Sequence, residues 1–340
     1  MSDVLLEQFL REYLELFDGN CTFIWHGGEP MLAGLRFFEM VISLQRQYTN
    51  SQHDLIKNTI QTNATLIDKR WAQFFKEHNF RIGVSIDGDR QSHDRFRVRQ
   101  DGKSSFDMTM QGISYLRDHD IPFGVIQTLP RSNLGRVNED FRFFVDALKL
   151  DGWGINAFCD FRDTPFARQE TITNQEYASY MKRCFDFWLM EDSANLRIRE
   201  IDSFLAGLFC KRPASCMFNG NCARYISVNW DGKVYPCERF SGQQKFCFGD
   251  LSKMSLGKIL TCKKRTQYAL TTKQLPIACQ MCDWQMKCNN GCTHHRIGAI
   301  NGIYHYCVAR KEIFSYLHNR VKNIMGTIEG GEKECPSRRV

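Results

Sequence analysis

The sequence predicts an α/β fold, a parallel sheet of successive βα units, followed by a compact module built on cysteine chemistry. Three observations carry the prediction. Short apolar runs, each fit for a buried strand, alternate with segments of helical spacing. The run onsets recur every 25 to 42 residues, the interval of one βα unit. The cysteines are segregated: Cys21, Cys159 and Cys184 are alone in the first 200 residues, whereas 12 of the 15 fall between Cys210 and Cys335.

The chain opens with a helix, because Leu5, Leu6, Phe9, Leu10, Tyr13 and Leu14 share one face. Strands are expected at 22–25, 56–61, 81–86, 123–128 and 153–158. Between the first two, Phe37, Phe38, Val41, Leu44 and Tyr48 form an apolar helical face. Trp71, Phe74 and Phe75 begin another, and Phe141, Phe144, Val145 and Leu148 make a third. Residues 173–208 read as a mostly helical connection with Tyr177, Tyr180, Met181, Phe185 and Trp188 on its apolar side. Asn229-Trp230-Asp231-Gly232 reads as a hairpin turn. The Gly-, Lys- and Glu-rich stretch after Gly326 reads as a frayed tail.

At 340 residues, 43% hydrophobic and 24% charged, the chain has ample material for a buried core. No run approaches the roughly 18 consecutive apolar residues of a membrane span. The opening Met-Ser-Asp-Val-Leu-Leu-Glu carries acids where a signal peptide needs basic residues. A cytoplasmic chain is expected, with no membrane partner. The 45 Lys and Arg against 38 Asp and Glu leave +7. These bases are spread widely, and the densest run, 90–103, is interrupted by Asp94 and Asp101, too diffuse to argue for nucleic acid. In a reducing compartment, so many cysteines point to metal or redox chemistry before disulfides.

The strongest single signal is their spacing. Cys216 and Cys222 precede Cys237, and later come Cys279-x2-Cys282-x5-Cys288-x3-Cys292, then Cys307. Cys-x2-Cys places two thiolates on one tight turn, as a tetrahedral metal or an iron of a cluster requires. Eight thiolates would suit two four-ligand sites. Spacing alone does not separate zinc from iron–sulfur.

The pattern resembles the SPASM module of radical S-adenosylmethionine (SAM) enzymes that modify peptides, and with Cys216 it is similar to the anaerobic sulfatase-maturating enzymes. The resemblance implies two auxiliary [4Fe–4S] clusters, one on Cys216, Cys222, Cys237 and Cys292, the other on Cys279, Cys282, Cys288 and Cys307. Each such cluster with its four thiolates carries about −2, so the formal charge would fall to roughly +3. The first half supports the same family. Trp25-His26-Gly27-Gly28-Glu29-Pro30 follows a strand and precedes a helix. Its glycines let the backbone approach a ligand, and Glu29 offers an acceptor for an ammonium group. In the family this loop grips the methionyl amino group of SAM. Gln61-Thr62-Asn63 and Ser85-Ile86-Asp87-Gly88 also end strands, at the edge where α/β folds bind ligands. The resemblance implies cofactor contacts for Gly27, Gly28, Glu29, Ser85, Asp87 and Arg97, with Phe158 against the adenine.

By this resemblance the fold is an incomplete parallel (βα)6-type partial TIM barrel at 1–165, with a helical linker at 166–209. A SPASM iron–sulfur domain follows at 210–310, then a C-terminal helix and tail at 311–340. The implied reaction oxidises a Cys or Ser side chain of a polypeptide, such as a sulfatase, to formylglycine. A 5′-deoxyadenosyl radical takes a hydrogen from the side-chain β-carbon, a base removes the thiol or hydroxyl proton, and an electron leaves through an auxiliary cluster. A flavodoxin or ferredoxin is the expected electron donor. Glu238 stands where those enzymes typically carry the aspartate proposed as the base, and His26 where they commonly carry glutamine.

One departure concerns the reaction itself. The radical-generating cluster needs Cys-x3-Cys-x2-Cys, and no three cysteines here have that spacing. With the helix-first start, this implies that the first strand and cluster loop are missing and that five of six strands remain. SAM binding is expected, but not its cleavage. An edge strand along 22–25 and an exposed apolar face on the first helix would follow. Two other readings fit the same residues: a non-catalytic iron–sulfur protein for electron transfer or peptide binding, and a maturase of another peptide.

Overall fold

The computed structural model describes residues 1–17, 21–49, 55–191, 193, 195–213, 215–297 and 300–326. The stretch read as a frayed tail lies outside them. One sheet contains β1 (Thr22–Trp25), β2 (Lys57–Thr62), β3 (Arg81–Ser85), β4 (Phe123–Leu129), β5 (Gly152–Ala157) and β6 (Arg197–Ile198), in that order. The registers of β1 with β2, β2 with β3, β3 with β4 and β5 with β6 are parallel. The α/β fold read from the apolar runs is therefore present, and the first five strands fall on the expected segments.

The sheet nevertheless has six strands rather than five. β6 lies inside the stretch read as helical linker, and its two residues are too few to show a period. It pairs through Gly152 with Arg197 and Trp153 with Ile198. A Cβ on Gly152 would come within 2.2 Å of the Arg197 carbonyl oxygen, so glycine is what admits the close approach.

Helices α1 (Asp3–Leu16), α2 (Leu35–Thr49), α3 (Lys69–Glu77), α4 (Phe106–Asp118) and α5 (Val137–Arg142) flank the strands in sequence. They are followed by α6 (Asn174–Met190), α7 (Arg199–Leu208) and α8 (Cys307–Gly326). Their starts obey local chemistry. Ser2 caps α1 by accepting from the Leu5 amide at 3.3 Å, and Asp68 caps α3 by accepting from the Trp71 amide at 2.9 Å. Thr173 and Glu176 close a reciprocal capping box on α6.

The chain forms two compact units, Met1–Ile86 with His93–Ile126 and Cys222–Thr271, and Asp87–Ser92 with Gln127–Asn221 and Thr272–Val340. In the first unit α1 is covered on both sides. Leu6, Leu10 and Leu14 are buried with Phe23, Val41 and Leu44. Leu5, Phe9 and Tyr13 pack against Val234, Phe248, Leu251, Leu256 and Ile259, around a small antiparallel sheet of β7 (Ser227–Val228), β8 (Lys233–Tyr235) and β9 (Gly249–Asp250). Gln8 Nε2 donates to the Leu251 carbonyl at 2.9 Å, and the Glu12 carboxylate accepts from the Leu256 amide. The apolar helix face expected to be exposed is thus covered by residues more than 200 positions away. At about 1.5–3 kcal/mol for each large apolar side chain, that docking is a substantial contribution. The hairpin turn is where its residues place it, with the Gly232 amide donating to the Asn229 carbonyl at 3.0 Å.

In the second unit α8 packs on α6. Tyr316 Oη donates to the Asp186 carboxylate at 2.8 Å, and Lys182 pairs with Glu312 at 2.6 Å. Trp284 stacks on Phe314 with ring centroids 5.2 Å apart, tying the cysteine-bearing turns to that helix.

Candidate functional site

In the first unit the C-terminal ends of β1, β2 and β3 lie side by side, because their registers set Trp25 opposite Ile60 and Thr62 opposite Val84. Gly27 and Gly28 leave β1 with φ of +93° and +56°, a backbone that suits glycine. Among the described residues no atom beyond their chain neighbours lies within 4 Å of where a Cβ would stand on either. That stretch of backbone is open for a ligand to approach.

Glu29 has a job within the chain. Oε1 accepts from the Met31 amide at 3.1 Å and from Thr62 Oγ1 at 2.8 Å, and Oε2 accepts from the Asn63 amide at 2.8 Å. One carboxylate therefore ties the loop after β1 to the end of β2. With roughly four lone-pair sites on a carboxylate, capacity remains for an ammonium group. Gln61 lies across Gly83, where a Cβ would come within 2.1 Å of its Oε1, and its Nε2 donates to Ser85 Oγ at 2.9 Å. That contact orients the Ser85 hydroxyl. The Arg97 backbone is fixed at both ends: its amide donates to the His93 carbonyl at 3.0 Å and its carbonyl accepts from Ser105 Oγ at 2.5 Å.

Asp87 and Phe158 belong to the second unit. Asp87 is buried; its Oδ1 accepts from the Thr128 amide at 2.7 Å and its carbonyl from Gln127 Nε2 at 3.1 Å. It clamps the loop after β3 to β4. Phe158 donates its amide to the Leu129 carbonyl at 2.9 Å, and its ring meets Phe166 edge-on at 5.5 Å.

Sequence reasoning missed Asp140, which sits one residue before the apolar Phe141 and was hidden by it. Its carboxyl accepts from Ser92 Oγ at 2.7 Å and from Gln127 Nε2 at 3.3 Å. A Cβ on Gly88 would lie 2.1 Å from its Oδ1. Arg136 donates to Ser92 Oγ at 2.9 Å and pairs with Asp89 at 2.5 Å, completing the brace. Burial pushes the Asp140 carboxyl up to about 7 and Asp89 adds to the rise, against the Ser92 hydrogen bond and Arg136. The folded chain thus keeps a proton that the unfolded chain releases near 3.8. The associated stability is complete below that value and is lost as pH rises toward 7. Denaturation of the apo chain is expected to show a loss on the order of 2–4 kcal/mol between pH 4 and pH 7 from this group. Asp140→Asn should remove it, as the urea midpoints of the two chains at both pH values will show.

The second unit also gathers four of the cysteines. Cys279 and Cys282 share one turn, the Cys282 amide donating to the Cys279 carbonyl at 3.2 Å. Cys288 ends the turn Gln285–Cys288, and Cys307 begins α8. The thiols act on one another. Burial pushes the Cys279 thiol up, and Cys307, Cys288 and Cys282 push it further. Burial likewise raises Cys307, with Lys311 opposing and Cys288 and Cys282 adding. Among the described residues no three His, Cys, Asp or Glu side chains converge tightly enough to hold one metal ion. The mutual influence of these thiols is the observation that suits a shared multi-thiolate group.

Arg310, three residues along α8 from Cys307, was also missed. It is 2% exposed, and its Nη1 donates to the Cys288 carbonyl at 3.2 Å and to Cys288 Sγ at 3.4 Å. Its guanidinium carbon lies 3.8 Å from the Phe218 ring centroid and 4.3 Å from that of Tyr304.

The other four cysteines are divided between the units. Cys222 opens the turn Cys222–Arg224 and Cys237 precedes the turn Glu238–Phe240 in the first, whereas Cys216 starts a turn capped by Ser215 and Cys292 is buried in the second. Glu238 is exposed, with its carboxylate 3.9 Å from Arg239 Nε. Among the described residues no helix is long and apolar enough to cross a membrane.

Two family models match: the radical SAM superfamily over residues 2–144, and the SPASM iron–sulfur cluster-binding domain over residues 216–283. A cysteine-type anaerobic sulfatase-maturating enzyme of Clostridium perfringens (strain 13 / Type A) is 30% identical over 335 residues, covering 97% of this chain and 90% of that protein. A serine-type anaerobic sulfatase-maturating enzyme of Bacteroides thetaiotaomicron is 28% identical over 313 residues, covering 87% of this chain and 75% of that protein. The solved structure of native anSMEcpe with bound AdoMet and Cp18Cys peptide has a TM-score of 0.87 at 27% identity, over 96% of this chain and 92% of that one. Streptococcus suis SuiB bound to S-adenosylmethionine, at 16% identity and a TM-score of 0.61 over 92% of this chain and 70% of that one, shares the fold. With its parallel sheet, its cysteine-rich module and relatives matched along nearly its whole length, the chain belongs to the anaerobic sulfatase-maturating branch of the radical SAM/SPASM iron–sulfur proteins.

Proposed function

We propose that the chain binds SAM along the C-terminal edge of β1, β2 and β3 and is built for oxidation of a cysteine or serine side chain of a partner polypeptide, a sulfatase, to formylglycine, a reaction these 340 residues do not start by themselves because they hold no ligand set for the radical-generating cluster. The observation that carries this reading is the open Gly27–Gly28 backbone beside a strand edge already organised by Glu29, Thr62 and Ser85. The glycines admit the methionyl end, Glu29 accepts from its ammonium, Arg97 faces its carboxylate, and Ser85 serves the ribose. Asp87 keeps the loop after β3 in place, and Phe158 offers a ring for the adenine. Two auxiliary [4Fe–4S] clusters are assigned to Cys279, Cys282, Cys288 and Cys307, and to Cys216, Cys222, Cys237 and Cys292. Bound there, SAM and the clusters supply one-electron chemistry. Glu238, an exposed carboxylate next to a cluster cysteine, is the group we assign to proton removal from the substrate thiol or hydroxyl. A cytoplasmic flavodoxin or ferredoxin is the electron donor this reading requires. The peptide bound in the anSMEcpe structure supports the polypeptide substrate.

Within the 340 residues no three cysteines are spaced Cys-x3-Cys-x2-Cys. The 340-residue chain, reconstituted anaerobically, is therefore expected to take up SAM in equilibrium dialysis yet release no 5′-deoxyadenosine with dithionite. Release of 5′-deoxyadenosine would overturn the second expectation, and failure to retain SAM the first.

A further inference from the structure

We infer that Arg310 is the counter-cation of the cluster held by Cys279, Cys282, Cys288 and Cys307, and that it raises that cluster's reduction potential. The inference rests on the cluster assignment above and goes beyond it.

A guanidinium that is 2% exposed has lost its water, and removing an ion from water costs several kcal/mol unless an anion compensates. Among the described residues the hydrogen bonds of its guanidinium go to the Cys288 carbonyl and Sγ, neither of them a carboxylate. Its Nε has no acceptor among the described residues. A [4Fe–4S] cluster with four thiolates supplies about −2 at that place. The direction of the fork agrees, since Nη1 points at Cys288 Sγ from 3.4 Å. Phe218 and Tyr304 sandwich the guanidinium, adding cation–π attraction and excluding water that would screen the charge. When an electron from a reduced donor enters the cluster, its negative charge grows by one. A fixed cation and an N–H···S bond both favour that state, so they raise the potential.

The test is an EPR-monitored redox titration of the reconstituted holoprotein, wild type against Arg310→Met and Arg310→Lys. With Arg310→Met, one of the two reduction waves should move to more negative potential while the other stays. At fixed potential the reduced-to-oxidised ratio of the moving wave should drop at least tenfold, about 59 mV for one electron. Arg310→Lys, which keeps the charge but not the fork, should fall between. A fully loaded Arg310→Met chain with both waves unmoved overturns the inference. If that chain does not load, wild type grown on 15N-arginine gives the answer by pulsed EPR: hyperfine coupling of the reduced cluster to guanidinium nitrogen supports the inference, and its absence overturns it. A wild type that takes up no iron overturns the cluster assignment instead.

Discussion

Replacing Cys279 and Cys282 together by alanine is expected to halve the iron content of the reconstituted chain, from about 8 to about 4 atoms. The two thiols share one turn, so the double change deletes half of one ligand set and none of the other. Two thiolates cannot hold a four-iron cubane. The backbone should tolerate the change, since loss of a sulfur from the buried Cys279 leaves a cavity costing on the order of 1 kcal/mol. The larger cost is electrostatic. Without the cluster, Arg310 becomes a buried cation facing neutral groups, a situation typically worth 3–5 kcal/mol of destabilisation. The holo double variant should therefore unfold at markedly lower denaturant than holo wild type, and Arg310→Met added to it should recover part of the loss. Iron remaining at about 8 atoms would move the ligand assignment elsewhere. Zinc in place of iron would return the site to the alternative that spacing left open.

Most of the sheet was legible in the sequence because buried parallel strands are nearly continuous apolar runs, and five such runs coincide with β1 to β5. β6 was not, because Arg197 and Ile198 become a strand only by pairing with Gly152 and Trp153. The two-sided burial of α1 was not legible either. Leu5, Phe9 and Tyr13 share the apolar face, but their partners at 234–259 are contacts of long sequence separation. In the candidate site, glycines and cysteines announced themselves because their special backbone and ligand chemistry is tied to spacing. Asp140 and Arg310 did not. Each is a charged residue on a helix, ordinarily a solvated position, and only tertiary packing shows that both are nearly inaccessible.

Glu29 and Gly28 separate the loop's architecture from its capacity to bind. Glu29→Gln keeps the shape and one oxygen, but its amide must point at a donor. With the oxygen on Met31 and Thr62, the NH2 faces the Asn63 amide that Oε2 now accepts from at 2.8 Å. A half-buried donor left without its acceptor costs about 1 kcal/mol, the low end of the range for buried groups, and the loop after β1 should loosen from the end of β2. SAM affinity should then fall at least tenfold, about 1.4 kcal/mol, together with a measurable loss of stability. Gly28→Ala works differently. Nothing among the described residues would touch the added methyl, so the folded protein bears the strain of a left-handed alanine at φ +56°, about 1 kcal/mol. The methyl would project into the very space that leaves the backbone open. If that space receives the cofactor, SAM binding measured by calorimetry should weaken by more than the stability loss accounts for, tenfold or beyond. Equal affinity in Gly28→Ala and wild type would place SAM away from this loop. A parallel loss in both variants, scaling only with stability, would make the loop a structural joint rather than a binding surface.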